Sequence, residues 1–108
     1  MAAEYLKSKG YRILERNYRN RCGELDIIAE KDDAIIVVEV KFRKSGVYGD
    51  PLEAVNRNKQ RRICRAALYY YVEGGLAMDV PCRFDVIAIY GDNTIRHIEN
   101  AFEFLYSV

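Results

Sequence analysis

One histidine in 108 residues leaves no multi-histidine metal site to consider. His97 stands in a strand-like segment far from the acidic residues taken up below, and a surface or internally satisfied ring is the expectation for it. Cysteine is also scarce. Cys22, Cys64 and Cys82 are odd in number, widely spaced and without a Cys-x-x-Cys pair, which argues against a disulfide framework and a structural zinc site and fits a reducing cytoplasm. No apolar run approaches the roughly 20 residues that span a bilayer. Met1 to Gly10 lacks the basic start and apolar middle of a signal peptide, so neither a membrane nor export is expected. Charge of one sign is not in excess either: with a net charge of +1, any attraction for a polyanion must come from how charge is distributed. No repeat, linker or low-complexity stretch breaks the chain, and its length suits one domain, residues 1–108, with a real core.

What is present reads as an ordered series of short elements. Ala2 to Lys9 has a helical face in Ala3, Tyr5 and Leu6, with Gly10 as its stop. Tyr11 to Tyr18 alternates like a strand. Glu24 to Glu30 and Ala34 to Lys41 are near-continuous apolar runs rich in β-branched residues, the pattern of central strands covered on both faces. Lys31-Asp32-Asp33 supplies turn residues for an antiparallel hairpin between them. After a loop from Arg43 to Gly49, Asp50-Pro51-Leu52-Glu53 opens a helix in which Leu52, Val55, Ile63, Ala66, Ala67 and Tyr70 share a face, and Gly74-Gly75 closes it. Arg83 to Tyr90 is another apolar strand, turned by Gly91-Asp92-Asn93 into Thr94 to Ile98. The class is α/β, in the order α-β-β-β-α-β-β, with a short C-terminal tail.

The two central strands carry charges where strands rarely do. Glu24 and Asp26 open the first, and Glu39-Val40-Lys41 closes the second. An unpaired buried carboxylate costs roughly several kcal/mol unless a metal or an opposite charge compensates it. A turn centred between Asp32 and Asp33 sets Asp26 against Glu39 and Glu24 against Lys41. Alternation then gives Glu24 and Asp26 one face of their strand, as it does Glu39 and Lys41. Directly opposed residues have Cβ atoms about 4.5–5.5 Å apart, close enough for two carboxylates to hold one divalent cation. A hard, oxygen-seeking ion such as Mg²⁺ or Mn²⁺ reverses their repulsion, and the Val40 carbonyl is a further candidate ligand. Lys41 is placed to orient or deprotonate a water for attack on phosphorus. The bland alternative is an exposed strand end, with Glu24 and Lys41 a surface pair of little energetic worth.

From Lys41 to Arg65 the bases Lys41, Arg43, Lys44, Arg57, Lys59, Arg61, Arg62 and Arg65 face only Asp50 and Glu53, a local excess of six positive charges. Arg57, Arg61 and Arg65 recur every fourth residue and form one helical stripe, a track for a phosphate backbone or simply a solvated exterior. Lys59 and Gln60 lie on the same helix, and Lys59 is carried as a phosphate contact. Arg12, Arg16, Arg19 and Arg21 form a second basic cluster before the acidic strand. Tyr69, Tyr70 and Tyr71 offer stacking surfaces, but so late in an amphipathic helix they read as core and rim.

Asp26 followed across a hairpin by Glu39-Val40-Lys41 and then a helix resembles the PD-(D/E)xK nuclease core. A longer string is more specific: Gly10-Tyr11, Ile13-Leu14, Arg16-Asn17-Tyr18-Arg19, Gly23-Glu24-Leu25-Asp26, Glu39-Val40-Lys41, Arg83-Phe84-Asp85 and Asn100-Ala101-Phe102. Together these resemble the YraN-type family of uncharacterised bacterial endonuclease-like proteins over essentially the whole chain. The resemblance implies a restriction-endonuclease-like fold, a central mixed β-sheet flanked by helices, with Asp26 and Glu39 as metal ligands, Lys41 as the catalytic lysine and Glu24 nearby. In related resolvase-like nucleases a further acid on the first helix completes the site. Glu4 does not fall at the equivalent position, so the expectation is a site with fewer acids or one short of a ligand. Asp85 reads as structural or as a support behind the site, bonded to a backbone group or a neighbouring arginine.

The leading expectation is a Mg²⁺- or Mn²⁺-dependent nuclease acting on DNA rather than RNA, on branched or single-stranded forms. A homodimer, in which two sites cut two strands, is an arrangement that the resemblance allows. The alternatives are a nucleic-acid-binding module without catalysis and an interaction protein in a DNA-processing complex.

Overall fold

A computed structural model of the chain describes residues 1–44 and 55–104. The elements are α1 (Ala2–Ser8), β1 (Arg12–Asn20), β2 (Gly23–Lys31), β3 (Ala34–Arg43), α2 (Arg57–Glu73), β4 (Cys82–Tyr90) and β5 (Ile95–Phe102). Their order is the α-β-β-β-α-β-β that the hydrophobic patterning predicts. The five strands form one mixed sheet in sequence order, antiparallel except for the β3–β4 pair. A parallel pair needs a long crossover, and α2 lies within it.

Each face of the sheet is covered by one helix, which explains why the inner strands read as continuous apolar runs. Leu25, Ile28, Ile35, Val37, Phe84 and Val86 pack with Ile63, Ala66, Ala67 and Tyr71 of α2. Ile27, Ala29, Ile36, Val38, Ile87 and Ile89 pack with Ala2, Ala3 and Leu6 of α1. Of the three consecutive tyrosines, Tyr71 is core, its hydroxyl donating to the carbonyls of Val80 (2.9 Å) and Pro81 (3.1 Å). Tyr70 meets Tyr18 edge-on at the rim.

The β2–β3 hairpin has the register the turn residues predict. Lys31 pairs with Ala34, Glu30 with Ile35 and Ile27 with Val38. Asp32 (φ 53°) and Asp33 (φ 63°) both adopt the left-handed conformation that two-residue hairpin turns require, which short polar side chains tolerate best.

Three boundaries differ from expectation. The helix start read at Asp50-Pro51 lies outside the described residues. The described α2 opens at Arg57, where the Asn56 side chain accepts the backbone N–H of Lys59 at 2.9 Å. β5 runs on to Phe102 rather than ending at Ile98, because a register shift, with Asn100 at φ 52°, lets the strand resume and stack Phe102 on Phe84. β1 extends to Asn20 and carries a bulge between Ile13 and Glu15.

Candidate active site

The hairpin ladder stops where the acids begin. Its final pair is Ile27–Val38, and the Asp26 carboxylate takes the next position, accepting the backbone N–H of Val40 at 2.8 Å. Beyond Val38, β3 continues beside β4, with Glu39 against Val86 and Lys41 against Ala88. A crevice therefore opens between β2 and β3 while β3 stays held from its other side.

The break has a local cause. Leu25 packs on the α2 side and Ile27 on the α1 side, although regular alternation would put residues two apart on one face. The face switch falls on Asp26. Opposite it, between the Arg16–Ile27 and Tyr18–Leu25 pairs, Asn17 has φ 50°. Two irregular residues facing one another turn the Asp26 side chain toward β3 rather than above or below the sheet.

This corrects one expectation. Glu24 and Asp26 do not project alike from one face, and Glu24 has no cross-strand partner at Lys41, because the ladder has ended before it. Glu24 is exposed and ion-paired with Arg19 instead. Arg19 thus serves Glu24 at the surface.

Glu39 is 7 % exposed, on the α2 side of β3. Its Oε1 receives two cations, Lys59 Nζ at 2.7 Å and Lys41 Nζ at 3.4 Å. Lys59 arrives from α2, four residues before buried Ile63 and therefore on the helix's sheet-facing side. Lys59, expected from the sequence at the phosphate, is here an ion-pair partner of Glu39. The overlooked signal was a lysine in register with an apolar stripe.

The electrostatics follow from this crowding. Burial holds the Asp26 carboxyl above its ordinary pKa; the Val40 N–H opposes that, and the Glu39 charge adds to it. Burial and the neighbouring Lys59 lower Lys41. Burial would lower Lys59 too, but its bonds to Glu39 and Lys41 together with the charges of Glu39 and Asp26 outweigh that and raise it.

Among the described residues no three His, Cys, Asp or Glu side chains converge on a metal position. The donors present are the carboxylates of Asp26 and Glu39, plus a backbone segment at Val40. In a strand the N–H and C=O of one residue point to the same edge, so the Val40 carbonyl is directed toward Asp26 as its N–H is. This set fits a Mg²⁺-like ion that keeps waters and phosphate oxygens in its sphere, and it does not amount to an all-protein cage.

The basic residues divide by position. Arg57, Arg61 and Arg65 lie on the exposed side of α2, with Arg61 Nη1 donating to Asn58 at 2.9 Å. Arg43, half-buried, ends β3. The first turn of α2 contains no acid but holds Arg57 and Lys59, cations at the positive end of the helix dipole.

A second polar cluster lies on the α1 side. Asp85, 1 % exposed, accepts two N–H groups of Arg83 at 2.8 Å, the His97 Nε2–H at 2.7 Å and the Asn100 backbone N–H at 3.0 Å. That arrangement puts a His97 proton on Nε2, and Nδ1 meets the Tyr5 hydroxyl at 3.2 Å. Both sequence expectations are met here, a structural Asp85 and a satisfied His97.

The model of the Uncharacterised protein family UPF0102 matches residues 1–89. The chain belongs to that family. A UPF0102 protein of Thermodesulfovibrio yellowstonii is 49 % identical over 102 residues, 94 % of this chain and 88 % of the relative. Family members of Lachnoclostridium phytofermentans (47 %, covering 94 % of this chain and 86 % of the relative) and Persephonella marina (46 %, covering 97 % and 89 %) are similar over the same extent. Cys22, Cys64 and Cys82 form no disulfide, and among the described residues no helix is long and apolar enough to cross a membrane.

Proposed function

We propose that the chain is a Mg²⁺- or Mn²⁺-dependent nuclease that hydrolyses phosphodiester bonds, in DNA in preference to RNA. The observation that carries this reading is the meeting of Asp26 and Glu39 at the point where β2 and β3 part, with Lys41 and Lys59 on the same carboxylate.

Asp26, Glu39 and the Val40 carbonyl would hold the ion, which when bound supplies Lewis-acid polarisation of phosphate and water. Lys41, fixed on Glu39 and anchored in a strand, positions the attacking water. Lys59 is a cation already resident between the helix and the acids, and on loading of the site it turns to the phosphate. Arg57, Arg61 and Arg65 extend a positive track from there, and an incoming phosphate offsets the cations crowded at the first turn of α2. Cytoplasmic residence suits three cysteines that form no disulfide. A homodimer would let two such sites act on two strands.

The test is cleavage of varied DNA and RNA structures with and without Mg²⁺ or Mn²⁺. Turnover should disappear in Glu39→Ala and in Lys41→Ala; turnover unchanged in both would overturn the assignment.

A second reading follows from the count of two converging carboxylates among the described residues. The fold would then serve as a nucleic-acid-binding module or an interaction protein without catalysis. Salt-sensitive DNA binding that survives Asp26→Ala, with no metal-dependent turnover, would favour it.

A further inference from the structure

Phe42 is the only phenylalanine among the described residues left largely in solvent, 78 % exposed one residue beyond Lys41. Exposing an aromatic ring forgoes the stabilisation that burial would give. It sits on the α1 side of β3, the face opposite Glu39 and Lys41. There it lines a cavity of about 330 Å³ with Arg16, Asn17, Asp26 and Val40. The cavity shares Asp26 with the candidate active site.

We propose that this cavity receives one unpaired nucleobase of the substrate, stacked on the Phe42 ring, with the Arg16 guanidinium on the adjoining phosphate. The inference rests on the nuclease reading and narrows its substrate to nucleic acid with unstacked bases. An exposed aromatic face is sequence-tolerant because every base has a π-face to offer it. Small-molecule sites run from about 300 to 1,000 Å³, and a cavity at the lower end suits one nucleotide rather than a base pair. Arg16 is exposed and cationic, and Asn17 offers both an amide donor and an acceptor to a base edge. A base inside a duplex is stacked on both sides and cannot lend its face to Phe42. Strand ends, flaps and junctions can.

The chain contains no tryptophan, so Phe42→Trp places its one indole at the site, read by red-edge excitation that leaves the nine tyrosines dark. Three ligands are titrated in EDTA: a thymidine strand of about eight nucleotides, within the usual span of single-strand sites, an abasic strand of equal length and a blunt duplex. The thymidine strand should quench the emission, and the abasic strand and the duplex should not. By anisotropy, Phe42→Ala should bind the thymidine strand about tenfold more weakly, with binding of the abasic strand and thermal stability unchanged. Quenching or affinity that ignores the bases would overturn the proposal. So would a Phe42→Ala variant that binds normally but changes its sedimentation, which would mark the ring as a contact between copies of the chain. Because no cleavage is involved, the two readings can fail separately. Base-dependent binding without metal-dependent cleavage would keep the pocket and remove the nuclease, whereas cleavage with base-independent binding would do the reverse.

Discussion

Asp26 and Asp85 both sit on inner strands, both accept a backbone N–H from elsewhere in the sheet, and both lie beside basic residues. Asp85 receives four donors from Arg83, His97 and Asn100, which saturate its two oxygens. Burial alone would raise its pKa, but the bonds from His97 and Arg83 prevail and lower it. Asp26 has the Val40 N–H and a second carboxylate as neighbours, and its pKa goes up. The lysines that could compensate it are both committed to Oε1 of Glu39. A saturated carboxylate is a structural clamp, here joining α1, β4 and β5. A carboxylate left beside a like charge is arranged for something that arrives.

The contrast is broken most forcefully at the clamp. Asp85→Ala empties a buried position and removes the shared acceptor of Arg83, His97 and the Asn100 N–H, and because Arg83 is partly exposed and keeps Glu99, urea unfolding at pH 7 should show a loss of about 2–4 kcal/mol. The sign with pH is fixed by direction. A folded pKa below the ordinary carboxylate value of about 3.9 gives stability that is complete above that pH and disappears as pH falls through the folded value. The acid limb of the stability curve should therefore flatten in Asp85→Asn.

Lys59→Met tests the other side. It removes the nearer cation from Glu39, and because Lys59 is partly exposed the loss should be moderate, about 1–2 kcal/mol. Added Mn²⁺ should restore part of it, read as a rise in melting temperature, while Asp85→Ala should show no such rescue. Asp26→Asn should act in the opposite direction. Its raised folded pKa means that the ionised form costs stability above that pKa and ceases to do so as pH falls through it. The substitution should stabilise the chain by about 1 kcal/mol at pH 7 and by nothing in acid. The smallest effect belongs to Glu24→Ala: an exposed ion pair with Arg19 should contribute less than about 0.5 kcal/mol, and calorimetry should barely register its removal.

Much of this arrangement is legible in the chain. The apolar runs at Ile27 to Ala29 and Ile35 to Val38 announce strands covered on both faces, and Asp32-Asp33 sets their register. Arithmetic from that turn brings Asp26 opposite Glu39, and the structure keeps them neighbours. The same arithmetic fails at Glu24, because it assumes an unbroken ladder and strict alternation. Period-two patterning contains no sign that the strand changes face at Asp26, since Leu25 and Ile27 are equally apolar and each finds a core.

The sequence by itself determined the element order, the hairpin register, the basic side of α2 and the family. These depend on local propensity and on neighbours within one hairpin or one helix. Only the tertiary structure decided that Lys59 crosses from α2 to Glu39 and that Phe42 stands uncovered beside Asp26. It also decided that His97 and Arg83 converge on Asp85. Those contacts join segments far apart in the chain, and their geometry is set by how the two helices pack on a twisted sheet and by backbone irregularities at Asn17, Asp26 and Asn100.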